Sequence, residues 1–344
     1  MNRLNIDLSS CRDNYLDFLK GLLIFLVVYG HVIQYFGYRC TDEYFKDFFF
    51  KLIYIFHMPM FMLISGYLSF FSIMRYPLPD LIYRRALQLL LPVLSWGIFV
   101  GIQKSIFKIA TANANFDVIF DFVFSEILSN LWFLWVLFLN YLVLFVSMKF
   151  SKRFEEVFMI VCLIVLYFIN YIIGFKYLGI GLLCWYLPFY VMGYICNKYI
   201  EKIHKPLYFI GYISLILFPV LAFYWSRVGI TPLAGLAPAL QGLISFCHRF
   251  VTGITGILAS YVLFGWLVSH FPKRMIALDR LGGITLEVYC MHYYFLYLIV
   301  LLSGVVLPVK IVLTFIFALT GSIILKKIIY RSPKATRLLF NKKI

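Results

Sequence analysis

Long stretches free of Asp, Glu, Lys and Arg recur along this chain, separated by short basic segments. The charge-free runs are 21–38, 52–74, 86–103, 127–148, 157–175, 177–197, 206–226, 228–248, 250–272, 288–309 and 311–325. A helix that crosses a bilayer needs ~20 mostly apolar residues, and it satisfies its own backbone where no water can. Most of these runs meet that length. The run 228–248 opens VGITPLAGLAPALQG, and its prolines and glycines break helices. Its first half is read as a loop or re-entrant turn. Its second half joins the following run, which places His248 and Arg249 within one helix. Ten spans remain.

The cations test that count. With the N-terminus in the cytoplasm, 22 of the 31 Lys and Arg fall on cytoplasmic segments or at their edges, including seven between Lys326 and Lys343. An eleventh span would move those seven outside, against the positive-inside rule. The predicted fold class is therefore all-α: a polytopic membrane protein of about ten helices, one domain over 1–344, both termini cytoplasmic. Composition agrees, with 63% hydrophobic and 13% charged residues and a mean hydropathy of +0.91. Soluble domains are about half apolar and a quarter charged. A soluble enzyme, a disordered tail and a nucleic-acid-binding domain are excluded as whole-chain readings. The net charge of +16 is topological, with anionic lipid headgroups as its partner and no nucleic acid expected. The seven cysteines show no paired or metal-type spacing and read as small core hydrophobes. The first apolar run is long and lacks a small-residue cleavage site, so it reads as a span and not a signal peptide.

The first helix carries one polar stripe. Lys20 and His31 are eleven residues apart, hence aligned within ~20° and separated by ~16 Å along the axis. Asp13, Asp17 and Gln34 lie within ~60° of the same direction. With Lys20 at the cytoplasmic surface, His31 lies just past mid-membrane. An ionisable group at that depth marks a cavity or pathway. A neutral histidine there is either a general base for a hydroxyl or the partner in an interhelical hydrogen bond. Gly21 and Gly30 are expected to permit close helix packing.

The segment LDFLKGLLIFLVVYGH, residues 16–31, resembles the opening of the acyltransferase-3 family of integral membrane acyltransferases. Its lysine–ten residues–histidine spacing is similar to the fucose 4-O-acetylase-like branch. IFHMPMFMLISGYL (55–68), LWFLWVLFL (131–139), WYLPFYVMGY (185–194) and ITLEVYCMHYYF (284–295) resemble later helices of that family, in order. One departure is Asn130, where many members carry histidine.

The resemblance implies transfer of an acyl group, usually acetyl from cytoplasmic acetyl-coenzyme A as co-substrate, to a hydroxyl of a sugar. The implied acceptor is a surface polysaccharide or its lipid-linked precursor, and the implied place a bacterial inner membrane. His31 is the expected base, and Asp17 and Lys20 are catalytic candidates; Asp17 is also placed to pair with Lys20. Lys20 would hold part of the donor or stabilise negative charge, or would be purely structural. Arg84 and Arg85, in YRRALQLLLP (83–92), are candidates for the donor's phosphates, since guanidinium forks suit phosphate. A topogenic anchor is the other reading of that pair.

His57, His292 and Arg249 are pocket candidates, each with a purely structural alternative. Glu287 and His292 point ~140° apart and form no same-face dyad; Glu287 is also placed to pair with a neighbouring cation. His204 and His270 are expected in loops. No metal is expected, because the histidines lack carboxylate or cysteine partners at ligand spacing. No G-x-S-x-G elbow suggests an acyl-serine. The rival class is a transporter or flippase for a glycan or acyl compound, in which Lys20, Glu287 and Arg249 line a path.

Overall fold

A computed structural model describes residues 14–37, 42–112, 118–150, 153–173, 180–226, 237–298 and 305–342. All regular structure in them is helical: α1 (Asn14–Val32), α2 (Phe48–Arg75), α3 (Leu78–Ala112), α4 (Val118–Ser125), α5 (Trp132–Phe150), α6 (Glu155–Ile173), α7 (Ile180–Lys198), α8 (Ile200–Phe223), α9 (Pro238–His270), α10 (Pro272–Gly282), α11 (Thr285–Leu298), α12 (Leu307–Ile329) and α13 (Pro333–Phe340). A π-helical turn, Ile33–Gly37, prolongs α1, and another, Glu126–Asn130, leads into α5.

Eight helices among the described residues are long and apolar enough to cross a membrane: α1, α2, α3, α5, α7, α8, α9 and α12. The chain is thus an all-α, multi-pass membrane protein. The other two predicted spans fall on α6, of 19 residues, and α11, described over 14. The joined helix is found: α9 carries both His248 and Arg249. The expected loop before it lies within 227–236, and Asp13 of the polar stripe precedes Asn14, both outside the described residues. His204 and His270, expected in loops, sit in α8 and at the end of α9. Two basic segments that the charge pattern treats only as topological fold into helices, α10 and α13.

The chain sorts into two compact units. One takes Met1–His57 and Pro206–Thr285; the other takes Met58–Lys205 and Leu286–Ile344. In the first, α1 lies directly on α10. A β-carbon on Gly21 would overlap the Leu278 carbonyl, and one on Gly282 would overlap the Asp17 carbonyl. Small residues thus let two backbones touch, as they do in membrane helix pairs. Gly30 is different: a methyl there would meet only Phe50, at an ordinary 3.8 Å. Tyr15 ties α1 to α9 through a hydrogen bond to the Tyr261 carbonyl (2.7 Å).

In the second unit, α2 and α7 make a reciprocal glycine contact. Gly66 abuts the Tyr190 carbonyl and Gly193 abuts the Leu63 carbonyl. Asn197 then donates to the Tyr67 carbonyl at 2.7 Å. The α13 helix begins at an N-cap, where Ser332 accepts from the Ala335 N–H and Pro333 follows at the first helical position. It ends at Asn341, whose φ of 50° is a left-handed conformation that asparagine tolerates. It packs along α3: Ser95 donates to the Leu338 carbonyl (2.8 Å), and the Trp96 and Phe340 rings are 5.8 Å apart. Both rings are buried.

Candidate functional site

Three members of the polar stripe, Asp17, Lys20 and His31, lie on one helix. Because α1 is unbroken from Asn14 to Val32, Lys20 and His31 keep one face and stand ~16 Å apart along the axis. Lys20 Nζ is 2.6 Å from Asp17 Oδ1, and Asp17 is buried. The expected pairing is therefore present. At that separation Lys20 cannot touch the atoms on which His31 would act. Any role in catalysis has to be exerted on a distal part of an extended ligand. His31 is half-buried, two residues before the π-helical segment. Such segments recur at functional sites, where they interrupt the regular helix.

Further along the same unit, two pocket candidates are joined through aromatic rings. The Arg249 guanidinium lies 5.9 Å from the Trp225 ring centroid. Trp225 packs edge-on to Tyr54 at 5.9 Å, and Tyr54 contacts the His57 ring at 6.0 Å. His57 Nδ1 donates to the Ile53 carbonyl at 2.9 Å. That bond fixes the tautomer, since a carbonyl only accepts, and leaves Nε2 as the basic nitrogen.

The second unit holds a basic cleft of about 740 Å³. On one wall are Arg84 and Arg85 of α3; on the other are Arg337 of α13 and Lys342 just beyond it. Asp80 is the one carboxylate among the described residues of the lining. Arg85 is held by neutral partners: it donates to Gln88 Oε1 (2.6 Å) and Ser72 Oγ (2.5 Å), and lies 4.8 Å over the Tyr141 ring. Its direction is fixed and its charge is not cancelled. Arg84 is exposed and rests 4.7 Å over the Tyr76 ring. Among the described residues neither arginine pairs with a carboxylate. A topogenic anchor needs only charge near the headgroups. A guanidinium oriented by three neighbours into a polar cleft has the geometry of an anion site.

One edge of this cleft is tied to α11. Lys342 Nζ donates to Glu287 Oε1 at 2.6 Å, and the Tyr330 hydroxyl donates to the same oxygen. Glu287 is fully buried, and its Oε2 has no hydrogen-bond partner among the described residues. Burial, and then the Glu287 carboxylate, push the Tyr330 hydroxyl above its ordinary range, so it remains a donor. Five residues on, and ~7.5 Å further along the helix, His292 is buried, with Nδ1 donating to the Val288 carbonyl (3.0 Å). Like His57, it presents Nε2 as its basic atom. Glu287 and His292 sit on different sides of α11, as their spacing requires.

Asn130 is bound into the frame. Its amide donates to Glu126 Oε2 (2.7 Å), its carbonyl accepts from the Tyr289 hydroxyl (2.9 Å), and Lys104 donates to the other Glu126 oxygen. Among the described residues, no group of three His, Cys, Asp or Glu side chains is placed to hold a metal.

Arg337, Lys342 and Tyr330 do not stand out as site residues in the sequence, where the last cations count only toward topology. A local signal is present: the Ser332–Pro333 pair is a helix start, and it places Arg337 on a folded element.

A family model described as an acyltransferase domain, of the acyltransferase-3 type, matches residues 13–327. The nodulation protein NolL of Mesorhizobium japonicum is 40% identical over 143 residues, covering 41% of this chain and 37% of that relative. The nodulation protein NolL of Sinorhizobium fredii is 41% identical over 133 residues, covering 38% and 35%. These alignments span little more than a third of either relative's own length. No solved structure gives a significant match.

Proposed function

The chain belongs to the acyltransferase-3 family, and we propose that this membrane acyltransferase moves an acetyl group from cytoplasmic acetyl-coenzyme A to a sugar hydroxyl. The acceptor is a surface polysaccharide or its lipid-linked precursor, and the chain acts as one domain in a bacterial inner membrane. Relatives from Mesorhizobium and Sinorhizobium support the bacterial setting. The positive-inside charge pattern supports a cytoplasmic position for both ends.

The observation that carries the reading is the unbroken α1 helix, which keeps His31 within the first span on the same face as the Asp17–Lys20 pair. His31 takes the proton as the sugar oxygen attacks the thioester carbonyl carbon. The tetrahedral intermediate collapses with rupture of the C–S bond, and the proton passes to the departing thiolate. An acyl ester and coenzyme A result. Lys20, held by Asp17, steadies the donor's extended arm well away from the reacting carbon. The donor's phosphates take Arg84 and Arg85, whose charges have no carboxylate partner among the described residues. His57 and Arg249, linked through Trp225 and Tyr54, are the acceptor-side candidates of the first unit, and His292 is a separate candidate in the second.

Coenzyme A release from acetyl-coenzyme A by the purified protein in lipid tests this. The expected signal requires both an added glycan extract and His31. Undiminished acylation by correctly folded His31→Ala removes His31 from the mechanism. Absence of both turnover and thermal stabilisation by the donor favours translocation without chemistry.

A further inference from the structure

The cleft has two basic walls, and α13 brings the second one. Arg337 is exposed and pairs with no carboxylate among the described residues. Lys342 is shared: it lines the cleft and is bonded to Glu287. The helix holding them is fixed to α3 by the Trp96–Phe340 contact and the Ser95–Leu338 hydrogen bond. A ligand that bridges these walls needs at least two separated anionic groups.

We propose that Arg337 and Lys342 form the second half of a phosphate-binding site for the acyl-coenzyme A donor, and that Glu287 competes with the donor for Lys342. This rests on the donor reading given above. Glu287 is a buried carboxylate with one oxygen unpartnered among the described residues, so Lys342 supplies its charge compensation. A donor phosphate that draws Lys342 into the cleft leaves that carboxylate short of it, which is costly at a buried site. Glu287 therefore lowers donor affinity and sets its release. Replacing it with glutamine keeps the shape and the acceptor for Tyr330 while removing the competing charge.

The test is binding of coenzyme A to the full chain in phosphatidylcholine nanodiscs by isothermal titration, repeated with phosphatidylglycerol added. Loss of one charged contact should weaken binding about tenfold in Arg337→Ala and in Lys342→Ala. Glu287→Gln should tighten it several-fold. The double variant Lys342→Ala/Glu287→Gln, which leaves no buried charge uncompensated, should bind as weakly as Lys342→Ala. A structural ion pair predicts otherwise for Glu287→Gln, which would then bind no better than wild type, and that result overturns the proposal. If Arg84→Ala weakens binding while Arg337→Ala and Lys342→Ala do not, α13 is no part of the site, although the donor reading stands. If wild type binds no coenzyme A at all, the donor reading itself fails. If Arg337→Ala changes only the retention of phosphatidylglycerol, the cleft holds lipid headgroups and the proposal is overturned.

Discussion

Lys20 is committed to Asp17. The 2.6 Å contact joins a largely covered ammonium to a buried carboxylate in the first turns of α1, on the stripe that carries His31. Removing the ammonium takes this counter-charge from a buried carboxylate, whereas exchanging it for another cation does not. Lys20→Ala should destabilise the protein by roughly 1–3 kcal/mol, allowing for the lysine's partial exposure. Lys20→Arg should lose little. Thermal unfolding in one detergent would compare the two; equal midpoints for both variants would show that the pair contributes nothing to stability.

His31→Ala should lower acceptor-dependent coenzyme A release by ~10²–10⁴-fold, the ordinary contribution of a positioned general base. The unfolding midpoint should hardly change, because His31 is only half-buried. A parallel fall in stability would instead assign this histidine to packing.

The contact between α1 and α10 has no slack. Gly21→Ala or Gly282→Ala puts a methyl group on a backbone carbonyl, which neither helix can yield by a rotamer change. Overpacking of this kind costs about 1–3 kcal/mol or more. Gly30→Ala, in open space by comparison, should be neutral or slightly stabilising. Melting curves for the three variants separate the cases, and a neutral Gly282→Ala would show that α10 does not sit on α1.

Arg84→Ala and Arg85→Ala should each weaken donor binding about tenfold. Arg85→Lys should also fail, since a point charge cannot reproduce two hydrogen bonds and a ring contact together. Full affinity in Arg85→Lys would reduce this residue to a simple charge.

The spans and the α1 stripe are legible in the sequence because hydropathy and helical period act over many residues at once. Lys20 and His31 stand on the face where 100° per residue puts them, and Gly21 makes the close contact its size permits. Charge counting, in contrast, assigns a side of the membrane but no shape. It therefore reads Arg337 and Lys342 as topology and misses that α13 turns them toward the cleft. The segment PKRMIALDRLG, which forms α10, is too polar and too short to register as a span. What gives it a place is the glycine contact with α1. Asp17 and Gly282 touch there although 265 residues separate them, so no local pattern could reveal the pair.

That separation also sets an order of events during synthesis. At ~5–20 residues per second, on the order of 10–50 s pass between the emergence of Asp17 and that of Gly282. Throughout that interval α1 is without the helix that its glycine contact is shaped to meet, while it already carries a carboxylate, a lysine and a histidine. The nascent first helix therefore makes this contact only after α10 has been made. A cysteine pair placed across α1 and α10 should crosslink in arrested chains that extend far enough beyond Gly282 to free α10 from the ribosome, and absence of crosslinking there would show that the contact forms later than synthesis allows.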